Sequence, residues 1–288
     1  MSTSDRRSAL RAILTGPRSA LLATIFDPFS ARMAEALDFE AGLMGGSLAS
    51  YAVLGAPDLI LLTLTELADQ VYRCTRVSNV PLVVDCDHGY GNALNVMRTV
   101  QEIDHAGAAA VMIEDTLLPR AFGASSAPQL LSQDEGRGKI EAALAARGDS
   151  DVVVFGRTSA HAITGIDDAV ARCQAYASAG VDGLVLPGLR TREELDRISA
   201  AVKLPLLAGS PAEPLCDETY LASRGVRLWS SGHQTLNVAM NALFEAMKSV
   251  RGGTLASKLP GAAPKELVDR ITTAADYDTW TRAYLGGR

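Results

Sequence analysis

Val83-Val84-Asp85-Cys86-Asp87-His88-Gly89-Tyr90-Gly91-Asn92 passes abruptly from apolar residues to two acids and then to two glycines. Pro81-Leu82-Val83-Val84 reads as a short buried strand. Alternate side chains of a strand point to one face, so Asp85 and Asp87 converge at its C-terminal end. Two converging carboxylates repel each other unless a cation sits between them. Gly89 and Gly91 then let the chain turn tightly away. This order of strand, acid pair and turn points to a hard divalent cation held by oxygen ligands, Mg2+ with Mn2+ as the alternative. The plainer reading is one helix-capping Asp and one solvated Asp in a strand-to-helix loop.

Working outward, eight short apolar or β-rich runs recur, at 20–26, 41–46, 81–87, 109–116, 151–158, 181–188, 204–210 and 225–232. Several are near-continuous Val, Ile and Leu, as expected of parallel strands buried on both faces. Helical patterns follow at about 30–38, 64–78, 93–106, 135–147, 167–179, 191–202, 214–223 and 233–250. Eight β-then-α units in one chain predict an α/β fold, a (β/α)8 TIM-type barrel, as a single domain over 1–288. A doubly wound open sheet is the rival. The turn after the first strand, Phe26-Asp27-Pro28-Phe29-Ser30, lacks the GxGxxG that would favour it. From Arg251 the pattern changes. Gly252-Gly253 and Pro260-Gly261 read as a linker, and 264–285 becomes helical with Tyr277, Trp280 and Tyr284 among its apolar positions. Such a helix needs a docking surface, either its own barrel or a neighbouring subunit.

The composition narrows the function. Hydrophobic residues make up 48% of the 288 residues, enough for a full core, and the 5% aromatic content implies an aliphatic one. A net charge of −6 argues against nucleic acid and anionic membranes as partners. No run approaches the roughly 20 apolar residues of a membrane span. The apolar run 20–26 ends at Asp27 and does not read as a signal peptide. Cys74, Cys86, Cys173 and Cys216 are widely spaced with no CxxC, which fits reduced thiols and a cytoplasmic location.

Active sites of such barrels sit at the C-terminal ends of the strands. Those ends supply Asp27 and Ser30, then Gly45-Gly46-Ser47 with Pro57-Asp58 downstream, then Asp85, Asp87 and His88. Glu114-Asp115, Arg157, Gly209-Ser210 and Ser231-Gly232-His233 follow. Each has a structural reading: Glu114 or Arg157 in an ion pair, His233 as a helix N-cap. Together they are too many polar groups for one rim, and they describe a site for a metal-bound small dianion. The acids serve the cation, Arg157 offers a carboxylate fork, and Ser47 with Gly46 and its neighbours offers amides to a second anionic group. His105 and His161 are assigned no role.

Phe26-Asp27-Pro28 with Ser30-Ala31-Arg32, Gly45-Gly46-Ser47, Ala56-Pro57-Asp58, Asp85 to Asn92, Ile113-Glu114-Asp115 and Gly156-Arg157-Thr158 resemble, in order and spacing, the isocitrate lyase/phosphoenolpyruvate mutase superfamily over nearly the whole chain. The resemblance implies a (β/α)8 barrel, Mg2+, 2-oxo-acid or enolate chemistry, and a C-terminal helical segment, 254–288, swapped between subunits of a homotetramer. The loop after the fourth strand, Leu118-Pro119-Arg120-Ala121-Phe122-Gly123-Ala124-Ser125, lacks the cysteine of the C–C lyases and the asparagine of the phosphonate branch. Gly232-His233 and His88 to Asn95 resemble the oxaloacetate decarboxylase branch. Ser159 and Ser210 depart from that branch, where an asparagine and a tyrosine are usual.

The resemblance thus implies a carboxy-lyase converting oxaloacetate to pyruvate and CO2 through a metal-stabilised enolate. Asp85 would bind the metal, with Asp87, Glu114 and Asp58 holding its waters. Arg157, Ser47 and Gly46 would bind the small 2-oxo dicarboxylate, and His233 would orient the reacting end or donate a proton. The alternatives are another 2-oxo-acid or phosphonate lyase or hydrolase of the superfamily, and a non-catalytic metal-binding barrel.

Overall fold

A computed structural model describes residues 2–124 and 126–286; Met1, Ser125 of the loop quoted above, and Gly287 and Arg288 of the C-terminal segment lie outside them. Nine parallel strands form a nearly closed barrel: β1 (Ala20–Leu21), β2 (Ala23–Thr24), β3 (Gly42–Met44), β4 (Leu82–Asp85), β5 (Ala110–Glu114), β6 (Val153–Arg157), β7 (Gly183–Pro187), β8 (Leu206–Gly209) and β9 (Val226–Ser230). The expected first strand is thus two segments. β1 pairs with β9 and β2 pairs with β3, with Leu22 between them donating to Trp229 O at 2.8 Å. One strand therefore serves both edges, and the barrel has eight staves, as expected.

The burial of the strands explains their composition. Every residue of β4 and β5 is buried. Val83, Ala110, Met112, Val153, Phe155, Val185, Leu207 and Leu228 fill the barrel interior, while Val84, Val111, Ile113, Val154 and Leu184 pack outward against the helices. Period-two alternation is present but both faces are apolar, so it is hidden in the sequence.

The N-terminal helix, Thr3–Thr15, was not expected. Leu10 and Leu14 join the interior cluster, so the helix plugs the barrel at the N-terminal ends of the strands. Its arginines are latches. Arg7 pairs with Asp104 and donates to Ala108 O, and Arg11 pairs with Asp182 at 3.1 Å. Other boundaries also shift. The helix expected at 214–223 is a 3-10 turn followed by Glu218–Ser223, and the C-terminal helix is two pieces, Lys265–Ile271 and Ala274–Tyr284. Helix Lys265–Ile271 packs on helix Pro28–Ala36 of the same chain, with Ile271 buried and Arg270 donating to Ala36 O.

Candidate active site

At the C-terminal ends of the strands a cavity of about 530 Å³ opens. It collects Gly46 and Ser47 after β3, Asp58 from the following loop, Asp85 and Asp87 from the end of β4, Glu114 from β5, Arg157 from β6 and His233 after β9. All eight site residues expected from the sequence therefore lie on one wall or another of a single cavity. Gly45, Leu59, Ile60, Leu118, Pro119 and Arg120 line it as well. Arg120 is the charged residue that the sequence reading missed; its signal was a base in the loop facing the acids.

The acid pair reaches the cavity by two different backbone routes. Asp85 is the last residue of β4 and is buried. Asp87 lies beyond the strand with φ 47°, a left-handed conformation that Asp tolerates better than most residues. Its N–H donates to Asp85 Oδ1 at 3.2 Å and its carbonyl accepts from Glu114 N at 2.9 Å. Strand alternation gives the right outcome, but a turn rather than the strand delivers Asp87.

A neutralising partner distant in the sequence comes from β6, two strands away. Arg157 Nη1 pairs with Asp85 Oδ2, and Nη2 lies 3.1 Å from Glu114 Oε2. Asp58, Asp85, Asp87 and Glu114 set four carboxyls against the guanidiniums of Arg157 and Arg120 in this cavity. Burial, then the charges of Asp85, Glu114 and Asp58, push Asp87 well above the ordinary carboxylate range despite Arg157. Burial likewise raises Glu114 against the pull of Arg157, and burial with Asp85 raises Asp58. Burial works against the charge of Arg157 but is outweighed by Asp85, Glu114 and Asp87, so its guanidinium is held firmly protonated.

Such excess negative charge on oxygen donors fits a hard dication. Among the described residues no three acids, histidines or cysteines form a direct ligand cage.

His233 occupies the N-cap position of helix Gln234–Arg251, yet its side chain makes no capping hydrogen bond. Its Nδ1 is buried without a partner, and a Cβ placed on Gly45 would lie 3.0 Å from Nε2. Burial lowers its pKa below the usual 6.5, with Asp85 pulling the other way. Gly46 is under similar constraint, since a Cβ there would come 2.5 Å from Asp87 Oδ1. Gly46 opens a short helix, Gly46–Ala49, whose first N–H groups have no intrahelical acceptor and are available to an anion.

Several rim residues take structural roles instead. Asp27 caps helix Pro28–Ala36, accepting from Ser30 N at 2.7 Å. Asp115 is buried beside Arg172 (3.0 Å) and accepts from the Tyr176 hydroxyl at 2.6 Å. His88 turns from the cavity; its carbonyl accepts from Lys139 Nζ at 2.8 Å, and burial, with Lys139, lowers its imidazole to about 4. His105 is exposed and His161 is buried outside the cavity.

Known proteins resemble this chain in sequence and in fold. The phosphoenolpyruvate phosphomutase family model matches residues 10–251. A Paraburkholderia xenovorans protein named oxaloacetate decarboxylase is 64% identical over 256 residues, 89% of this chain and 86% of its own. An oxaloacetate acetylhydrolase solved with 3,3-difluorooxalacetate superposes with TM-score 0.86 at 28% identity, covering 98% of this chain and 97% of its own. A phosphonopyruvate hydrolase solved with oxalate and Mg2+ gives TM-score 0.83 at 28% identity, covering 99% of this chain and all (100%) of its own. The chain belongs to the phosphoenolpyruvate phosphomutase family, within the superfamily that also contains isocitrate lyase.

Proposed function

We propose that this chain is a Mg2+-dependent oxaloacetate decarboxylase. The observation that carries the reading is the single cavity in which Arg157, bridged to Asp85 and Glu114, shares its walls with Gly46, Ser47 and His233. A relative 64% identical and named oxaloacetate decarboxylase supports the choice of substrate.

The reaction breaks the C3–C4 bond of oxaloacetate. The electron pair moves toward the α-keto group, CO2 leaves, and C3 takes a proton to give pyruvate. Asp85, with Asp87, Glu114 and Asp58 around it, would hold a divalent cation, which would supply Lewis-acid polarisation of the keto oxygen. Arg157 uses one proton on each terminal nitrogen for Asp85 and Glu114 and has a second on each, so it can also grip the C1 carboxylate. Ser47 and the amides that open helix Gly46–Ala49 orient the same end of the substrate. His233 faces the other end, where it orients the departing carboxylate or delivers the proton. Leu118, Pro119 and Arg120 of the loop after β5 line the same cavity.

The same reading makes the protein a cytoplasmic homotetramer with 254–288 exchanged between subunits. Among the described residues no helix is long and apolar enough to cross a membrane. The exposed Val238, Leu243, Phe244 and Met247 of helix Gln234–Arg251 support a subunit contact.

The test is a substrate panel with product analysis. The Mg2+-loaded protein is offered oxaloacetate, 2-methylisocitrate and phosphonopyruvate against protein-free blanks. Pyruvate and CO2 from oxaloacetate are expected. Oxalate and acetate would make it a hydrolase of the same substrate, and turnover of only another substrate would move it to a different branch. No turnover at all would leave a binding barrel.

A further inference from the structure

We propose that a second cavity, at the opposite end of the barrel from the acidic site, binds a small oxyanion through Arg6, Arg76, His105 and Ser78. It has a volume of about 430 Å³ and lies where the chain enters β4 and β5, between the plug helix Thr3–Thr15 and the segments 75–79 and 105–107. Arg6, Arg76 and His105 line it and, among the described residues, no acid does, in a chain of net charge −6.

Arg6 carries most of the case. It is only 7% exposed, and among the described residues it makes no ion pair, whereas Arg7, Arg11 and Arg18 of the same N-terminal region each have one. Its Nη2 donates to Thr3 Oγ1 at 3.1 Å and Gly107 O at 3.5 Å, both uncharged, and its Nε is buried without a partner. Burial, and next the charge of Arg7, bear against its protonated form, and the charge of Asp5 offsets them only in part. A guanidinium cannot escape by losing its proton, so a buried one without an ion pair calls for a counter-charge.

The surrounding acids are committed elsewhere. Asp5 accepts from Ser2 N at 2.8 Å, Asp104 pairs with Arg7, Glu102 pairs with Arg98 at 3.3 Å, and Glu35 accepts from Asn79 at 2.8 Å. The other walls offer hydrogen-bonding groups. Ser78 Oγ is buried and accepts from Val80 N at 3.2 Å, which leaves its proton to give. His105 Nδ1 donates to Gln101 O at 2.7 Å, so the Nε2 of its neutral ring is an acceptor, suited to the hydroxyl of a hydrogen phosphate. Arg76 lies over the Tyr72 ring at 5.6 Å and makes no ion pair among the described residues. Planar guanidinium and hydroxyl donors match the paired oxygens of a phosphate or carboxylate group.

The experiment is calorimetric titration of the full chain with inorganic phosphate and, separately, succinate, at ionic strength held constant with chloride. One saturable site is expected for at least one of them, weakened at least tenfold in Arg76→Ala and in Arg6→Gln, with turnover of the acidic site unchanged in Arg76→Ala. Saturation by phosphate alone identifies a phosphate source, and by succinate alone a carboxylate source. Arg76 is exposed, so Arg76→Ala still reports if Arg6→Gln fails to fold. No saturable binding of either anion, or binding that Arg76→Ala leaves intact, overturns the proposal. The readout is binding, so it stands or falls apart from the decarboxylase reading.

Discussion

Arg157 shows how far residue-level reasoning reaches. The acids at 85 and 87 were legible because alternate side chains at a strand end point to one place, and Arg157 was legible as a base at a strand end. Their mutual pairing was not, because the residues stand 72 positions apart, on β4 and β6, which β5 separates. Asp87 was found by strand alternation although its own φ of 47° delivers it. His233 carries the sharpest residue-scale prediction. His233→Ala is expected to lower kcat on oxaloacetate by roughly 10²-fold or more at saturating Mg2+ if the ring transfers a proton. His233→Gln should recover part of that loss if the ring only orients by hydrogen bonding. The pH profile separates the two. Burial holds the imidazole below 6.5, so a rate that needs imidazolium falls about tenfold per unit as pH rises above 7. An orienting neutral ring leaves the rate flat there. Wild-type rates in both variants would remove His233 from the site.

Elements were legible where packing leaves a regular trace. The central strands betray themselves as apolar runs because both faces are covered. The plug helix Thr3–Thr15 was missed because its buried residues are few, Arg6, Leu10 and Leu14, and lie among exposed polar ones. The split of the first strand is also invisible, since pairing on two edges leaves no mark on composition. Helix Gln133–Arg147 gives a contrast in one element. A Cβ on Gly136 would meet the Tyr176 hydroxyl at 2.6 Å, whereas one on Gly138 meets nothing within 4 Å. Gly138→Ala is therefore expected to stabilise the protein by about 0.5–1 kcal/mol through backbone entropy. Gly136→Ala is expected to destabilise it by about 1–3 kcal/mol, because Tyr176 and its bond to Asp115 must shift. Urea unfolding of both variants checks the pair, and equal midpoints would contradict the packing.

At the scale of the whole molecule the barrel closes from local rules, while the tail depends on what it meets. Tyr277 and Trp280 stack edge to face at 5.1 Å, yet helix Ala274–Tyr284 buries no residue in the isolated chain. Assembly is expected to bury these aromatics, at about 1.5–3 kcal/mol for each large side chain. Truncation after Gly253 should lower the assembly state in sedimentation velocity; a truncated chain that keeps its full mass would refute the exchange of 254–288. The sequence reads the tail as a helix that needs a surface, but which subunit supplies it is a property of two chains, and no single sequence encodes it locally.

The central claim is metal-dependent decarboxylation in the acidic cavity. Its most direct test measures pyruvate and CO2 from oxaloacetate with wild-type protein and Asp85→Ala, each stripped with chelator and then titrated with Mg2+, after subtraction of the protein-free blank. Stripped wild type should be inactive and regain turnover with Mg2+. Asp85→Ala should stay folded by circular dichroism and lose on the order of 10³-fold in rate, the several kcal/mol that a Lewis acid supplies. Full turnover by stripped wild type, or normal Mg2+-dependent turnover by Asp85→Ala, would contradict it.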